Sequence, residues 1–105
     1  MTTHHSAWRW GIVSAAALSL SSVMAQDATL QTRVWAASCA ACHGTGGSAQ
    51  TGIPSIAGQD KAVLEQKLLA YKAGSLPATV MHQHAKGYTD EQLSRLAEHF
   101  SRLPR

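Results

Sequence analysis

Apolar residues recur at intervals of three and four positions in three stretches of the chain, which is the spacing of one face of an α-helix. The last stretch shows the spacing most clearly, with apolar residues at Leu93, Leu96, Ala97, Phe100 and Leu103. No segment alternates apolar and polar residues as a half-buried strand does. The pattern therefore predicts an all-α fold with about three helices.

The first predicted helix covers roughly residues 27–41. We expect Asp27 to cap its start, and the glycines from Gly44 onward to end it. Its apolar stripe is predicted to consist of Leu30, Val34, Ala37 and Ala41.

The other two helices carry clearer start and stop signals. The second is predicted to begin at Asp60, a good N-cap, and to end before Gly74. The third begins with Thr89 and Gln92, which have the spacing of a capping box, and Pro104 marks its end.

Two connections separate these helices. Residues 44–58 contain many Gly, Ser and Thr residues together with Pro54, which predicts an irregular segment. So long an irregular segment is unusual in a small domain unless it surrounds a ligand. We interpret it as a functional loop that wraps a cofactor. Residues 75–87 contain Pro77 and no clear periodicity, which indicates a second connection.

The first 25 residues have the form of an export signal. Arg9 precedes an apolar run at residues 11–20, and small residues before position 26 suit cleavage after Ala25. The alternative is a retained membrane anchor, but spanning a bilayer takes about 20 uninterrupted apolar residues, and this run is shorter. The sequence thus predicts a signal peptide at residues 1–25, a domain at residues 26–105 and a periplasmic location.

The charge balance excludes one class of partner. The chain has nine basic and six acidic residues, and loss of Arg9 with the signal leaves a mildly basic domain. The basic residues are spread along the chain without stacking aromatics, which argues against nucleic-acid binding and permits docking on an acidic protein face. A domain of roughly 80 residues often needs a disulfide, metal or cofactor to be stable.

The two cysteines lie in a C-x-x-C-H motif at residues 39–43. Two thiols on one helical turn, Cys39 and Cys42, can bond the two vinyl groups of a haem, and His43 then presents an imidazole to the iron. Haem c is attached outside the cytoplasm, so the motif and the export signal support each other. The motif predicts one covalent haem c, with His43 as the proximal ligand.

Three other uses of the cysteines remain open from the residues alone. A thioredoxin-like redox pair expects a βαβ context, which the pattern does not contain. A simple disulfide between such close cysteines stabilises a domain poorly. A zinc site needs two further ligands, which His82 and His84 could supply.

At this point the chain resembles the small class I cytochromes c, and more narrowly the cytochrome subunit of flavocytochrome c sulfide dehydrogenase. The resemblance covers nearly all of residues 26–105. The residues that carry it are Cys39-Ala40-Ala41-Cys42-His43-Gly44, Ile53-Pro54-Ser55-Ile56-Ala57-Gly58, Tyr71-Lys72-Ala73-Gly74, Met81 and Ala85-Lys86-Gly87-Tyr88-Thr89-Asp90-Glu91-Gln92-Leu93.

The resemblance implies a fold of about three helices packed around one haem, and two further site residues. Met81 corresponds to the distal ligand, and it is also the one methionine left once Met1 and Met24 leave with the signal peptide. Pro54 corresponds to the proline whose carbonyl accepts a hydrogen bond from the proximal imidazole. The predicted site is therefore Cys39, Cys42, His43, Pro54 and Met81.

The resemblance also implies a one-electron carrier that is not an enzyme by itself, with redox proteins as partners. A flavoprotein sulfide dehydrogenase is the implied partner. Many cytochrome subunits of that family resemble two such domains in tandem, whereas this chain has one. A free-standing carrier is therefore a second interpretation. The alternative function is a haem catalyst or gas-binding protein with an open or displaceable sixth ligand. His82 and His84 lie beside Met81 and are interpreted as solvated loop residues that can replace it.

Overall fold

The computed structural model describes the backbone of residues 8–105 and the side chains of residues 23–105. Helix α1 spans Trp8–His43, α2 Lys61–Ala73, α3 Met81–Lys86 and α4 Asp90–Ser101, with a 3₁₀ turn at Thr45–Gly47. The described backbone contains no strand, which confirms the all-α prediction with one helix more than expected. Most of the predicted signal peptide lies outside the described side chains.

The chain divides into two compact units, residues 1–31 and residues 32–105. In the first unit the described side chains of Val23, Met24 and Leu30 are exposed. The second unit holds the end of α1 and the helices α2, α3 and α4. Within the part of the chain that the structure describes, no helix has both the length and the apolar character needed to cross a bilayer.

Helix α1 differs from its prediction at its start and in its buried face. It does not begin at Asp27, because no glycine or proline interrupts the sequence between Gly11 and Gly44. The predicted stripe is exposed, with Val34 at 66%. Ala36 is buried in its place, because the sequence of this helix has no single apolar face and tertiary contacts decide which side is buried. The predicted stop is confirmed: the helix ends at His43.

The predicted caps of α2 and α4 are confirmed. The Asp60 carboxylate accepts a hydrogen bond of 3.1 Å from the backbone N–H of Val63. Gly74 ends α2 in a left-handed conformation with φ of 77°. Thr89 and Gln92 form a reciprocal capping box at the start of α4. Local hydrogen-bonding signals therefore located both helices correctly.

Helix α3 was predicted as part of a connection. Its six residues make less than two turns, which is too short to show a period in the sequence. Packing against α2 stabilises it, and Ala85 is only 2% exposed. The helix therefore depends on tertiary contacts more than on local preference.

The core lies where α1, α2 and α4 meet. Its buried cluster takes one residue from α1, one from α2 and four from α4: Ala36, Leu64, Leu93, Leu96, Ala97 and Phe100. Four of the five residues predicted for the apolar stripe of α4 are thus buried, and Leu103 is partly buried just beyond the helix. This core fills only one side of the domain and leaves an open cavity beside it.

The loop at residues 44–58 is tied to the end of α4. The backbone N–H of Gly58 donates to the carbonyl of Phe100 at 2.9 Å, and the N–H of Ile56 donates to the carbonyl of Gly47 at 2.8 Å. The predicted irregular loop is confirmed. It is fixed in place against the core.

Candidate functional site

The C-x-x-C-H motif lies on the last turn of α1. Cys39 is partly buried and lines the cavity, whereas Cys42 is exposed and is not among the lining residues. The two thiols are not joined in a disulfide. The turn therefore presents two free thiols at the edge of a cavity.

The side chain of His43 is fixed by the loop. Its Nδ1 lies 2.7 Å from the carbonyl oxygen of Pro54. Because a carbonyl oxygen only accepts, Nδ1 is the donor, and the lone pair of a neutral ring is then on Nε2. A hydrogen bond of this kind orients a metal-binding imidazole and increases its basicity. His43 thus has the arrangement that a proximal ligand needs.

The cavity has a volume of about 440 Å³, which is within the usual range for small-molecule and cofactor sites. Its wall is mostly apolar and comes from the end of α1, the loop, α2, the 76–79 segment, α3 and α4. The apolar lining residues include Ile56, Leu64, Leu68, Leu76, Leu96, Ala97 and Phe100. A flat apolar cofactor fits such a wall.

Met81 and His84 both line this cavity from α3. His82, between them, does not line it. Four of the five predicted site residues therefore surround one cavity: Cys39, His43, Pro54 and Met81. Cys42 lies one turn after Cys39 on the same helix.

The sequence reasoning missed the polar groups of the cavity wall, which include Gln59, Lys67 and Tyr71. Lys67 forms no ion pair with any carboxylate of residues 23–105, whereas Lys61, Lys72, Arg95 and Arg102 each pair with an acidic residue. An unpaired ammonium group at an apolar cavity suits an anionic part of a ligand, such as a haem propionate. The sequence does contain a signal for this wall: the helical spacing of Leu64, Lys67, Leu68 and Tyr71 places these four side chains on one face of α2.

Burial raises the pKa of the Cys39 thiol above its usual value. Hydrogen bonding by Ser38 and by the backbone opposes the shift. A thiol with a raised pKa is a poor nucleophile, because the thiolate is the reactive form. This property disfavours a thioredoxin-like redox pair.

The zinc interpretation requires a cluster of at least three metal-binding side chains. Among the side chains that the structure describes, no three His, Cys, Asp or Glu residues are grouped closely enough to hold a metal ion. The cavity is instead lined by the imidazoles of His43 and His84, the thioether of Met81 and the thiol of Cys39. With Cys42 on the same turn as Cys39, this donor set fits a covalently bound haem.

Residues 26–100 match the family model described as cytochrome C oxidase, cbb3-type, subunit III. This match covers most of the chain, so the chain belongs to this family of c-type cytochromes, which carry covalently bound haem c and transfer electrons. Within the family it is a class I c-type cytochrome, similar to the cytochrome subunit of sulfide dehydrogenase.

Three relatives show how far the similarity extends. The cytochrome subunit of sulfide dehydrogenase from Chlorobaculum tepidum is 48% identical over 66 residues, which cover 63% of this chain and 60% of that protein. Cytochrome c-553 from Nitratidesulfovibrio vulgaris is 34% identical over 97 residues, covering 88% and 91%. The thiosulfate dehydrogenase electron acceptor from Thiomonas intermedia is 37% identical over 70 residues, covering 65% and 32%. The chain thus spans less than two thirds of the sulfide dehydrogenase subunit.

Proposed function

We propose that the chain carries one haem c, bonded to Cys39 and Cys42 and ligated by His43 and Met81. The observation that carries the proposal is the single cavity that Cys39, His43 and Met81 line together. The hydrogen bond from His43 to Pro54 supports the proximal assignment. The unpaired Lys67 at the wall supports an anionic, haem-like ligand.

The proposed activity is one-electron transfer without chemistry on a substrate. A bound haem supplies the Fe(III)/Fe(II) couple, and a thioether ligand raises its reduction potential. His43 and Met81 would each supply a ligand to the iron, and no position would then be left for a substrate. For this reason the alternative, a haem catalyst or gas-binding protein, is not favoured. The chain by itself is then a carrier and not an enzyme.

We further propose that the protein works in the periplasm, after cleavage behind Ala25, and accepts electrons from a dehydrogenase. The names of two relatives, a sulfide dehydrogenase subunit and a thiosulfate dehydrogenase electron acceptor, support a dehydrogenase as donor. A flavoprotein is the expected form of that partner. Mass spectrometry of the purified protein should give an N-terminus at Gln26 and the mass of one haem.

The ligation is tested by Met81→Ala in protein from a host that attaches haem c. The ferric variant should lose the sulfur-to-iron charge-transfer band, and its reduction potential should fall because thioether ligation favours ferrous iron. The control is Gln83→Ala, an exposed position on the same helix, which should retain both properties. A Met81→Ala protein with the band intact would assign the sixth ligand elsewhere. Colourless wild-type protein would refute the haem itself.

A further inference from the structure

Helix α3 presents two iron-binding side chains to the same cavity. Met81 and His84 are three residues apart, and residues at this spacing lie next to each other on one helix face. His82 follows Met81 by one residue, which turns its side chain about 100° around the helix axis. This geometry explains why His84 lines the cavity and His82 does not.

The imidazole of His84 is held in orientation but is free to bind. Its ring packs edge-on against Tyr88, with ring centres 6.4 Å apart. The Tyr88 hydroxyl lies 2.7 Å from the hydroxyl of Ser38, next to Cys39 on α1. Among residues 23–105, no hydrogen bond or ion pair engages either ring nitrogen of His84, and a neutral imidazole keeps one nitrogen lone pair for a ligand.

His84 reaches the place of Met81 only if α3 moves. Its N-cap residue, Val80, is 61% exposed and makes no side-chain capping bond, and Gly87 follows the helix. A shift of three residues along the axis is about 4.5 Å, which is less than one helical turn. Helices are known to move past their neighbours by one turn in switching proteins. Such a shift, together with a turn of about 60° around the helix axis, would carry His84 to the place of Met81.

We propose that His84 is a reserve distal ligand, which binds the haem iron when the sulfur of Met81 is not bound. This inference rests on the proposed function, because it needs Met81 as the ordinary ligand. The iron–sulfur bond is replaced by an iron–nitrogen bond, and the oxidation state of the iron does not change. The exchange keeps the iron six-coordinate, lowers its potential and restricts access of small ligands.

Three haem-bearing variants test the proposal: Met81→Ala, Met81→Ala/His84→Ala and Met81→Ala/His82→Ala. Electron paramagnetic resonance of the ferric proteins should show low-spin iron with two nitrogen ligands in the first and third. The second should be high-spin with water bound. If His84 is bound to the iron in about nine of ten Met81→Ala molecules, only about one in ten is free to bind cyanide. The apparent dissociation constant for cyanide is then about tenfold higher in Met81→Ala than in Met81→Ala/His84→Ala.

Circular dichroism of each variant should match the wild type, so that a spin-state change is not a folding defect. The single variant His84→Ala should keep the charge-transfer band of sulfur ligation. High-spin Met81→Ala would overturn the proposal. Low-spin iron in the His84 double variant would also overturn it, and His82 or Lys67 is then the candidate ligand. A Met81→Ala protein that keeps the charge-transfer band overturns the proposed function instead, and this result is distinct from the others.

Discussion

Gly47 holds the loop against α4 at a point where no side chain fits. A Cβ atom on Gly47 would lie 2.8 Å from the Phe100 ring and 2.9 Å from Ile56, and the residue has a φ of 79°. Gly47→Ala therefore combines a left-handed backbone penalty with overpacking of the core. We expect it to lower the free energy of unfolding of the haem-bearing protein by about 2–4 kcal/mol, measured by urea titration.

Gly46→Ala is the matched control for Gly47→Ala. Gly46 is also left-handed, with a φ of 65°, but nothing lies within 4 Å of its added Cβ atom. Gly46→Ala should therefore lower the free energy of unfolding by the left-handed backbone penalty alone, about 1 kcal/mol. Equal losses in the two variants would show that the contact with Phe100 does not limit the loop.

His99 is a titrating group at the surface of the core. Burial lowers its pKa, and the nearby positive charge of Arg33 adds to the effect. His99 lies in the last turn of α4, where the helix dipole favours a positive charge. Burial and Arg33 outweigh this effect, because the pKa of His99 is lowered. The neutral imidazole is therefore the form that the folded protein prefers.

The lowered pKa of His99 predicts a pH dependence. Near and below its ordinary pKa of about 6.5 the unfolded chain binds a proton that the folded protein binds less well, so the free energy of unfolding falls as the pH drops through about 6.5. His99→Gln should reduce this slope in urea titrations of the haem-bearing protein. His82→Gln, on another helix, serves as the control. An unchanged slope in His99→Gln would contradict the assignment.

Helix α4 depends on its capping box at the N-terminus. The Thr89 hydroxyl accepts from the N–H of Gln92 at 3.2 Å, and the Gln92 side chain accepts from the N–H of Thr89 at 2.8 Å. Thr89→Ala leaves a backbone donor without its partner and should cost about 1 kcal/mol of stability. Thr51→Ala, at an exposed turn, should cost little. The urea midpoints of the two haem-bearing variants test this prediction. Equal midpoints for Thr89→Ala and Thr51→Ala would contradict it.

Helices α2 and α4 could be located from the sequence because their signals are local. Asp60, Gly74 and Thr89 act on backbone groups within four residues of themselves. Helix α3 gave no such signal, since six residues are too short for a period and its burial at Ala85 comes from contacts outside the helix.

We expect the whole domain to need its ligand in order to be stable. The cavity of about 440 Å³ adjoins a core of only a few fully buried side chains. Small domains of this size often need a further contribution to their stability, because they bury a modest fraction of their apolar surface. We expect Cys39→Ala/Cys42→Ala, which cannot attach haem, to show a weak helical signal by circular dichroism and no cooperative melting. A ligand bound to the folded state alone supplies the missing stability.

The control for the cysteine variant is Ala41→Ser, at an exposed position between the two thiols. It should keep the haem and the helical signal of the wild type. A cooperative melt in the double cysteine variant would show that the three larger helices are stable without haem.

The sequence by itself determined the helical class, the caps of α2 and α4, and the C-x-x-C-H motif, because each depends on residues close together in the chain. Only the tertiary structure decided that Ala36 and not Val34 is buried on α1, and that His84 and not His82 lines the cavity with Met81. It also decided that Lys67 lines the cavity without a carboxylate partner among residues 23–105. These choices depend on packing between segments that are far apart in the sequence. A helix that is short or has no single apolar face carries no local pattern to show which of its sides will be buried.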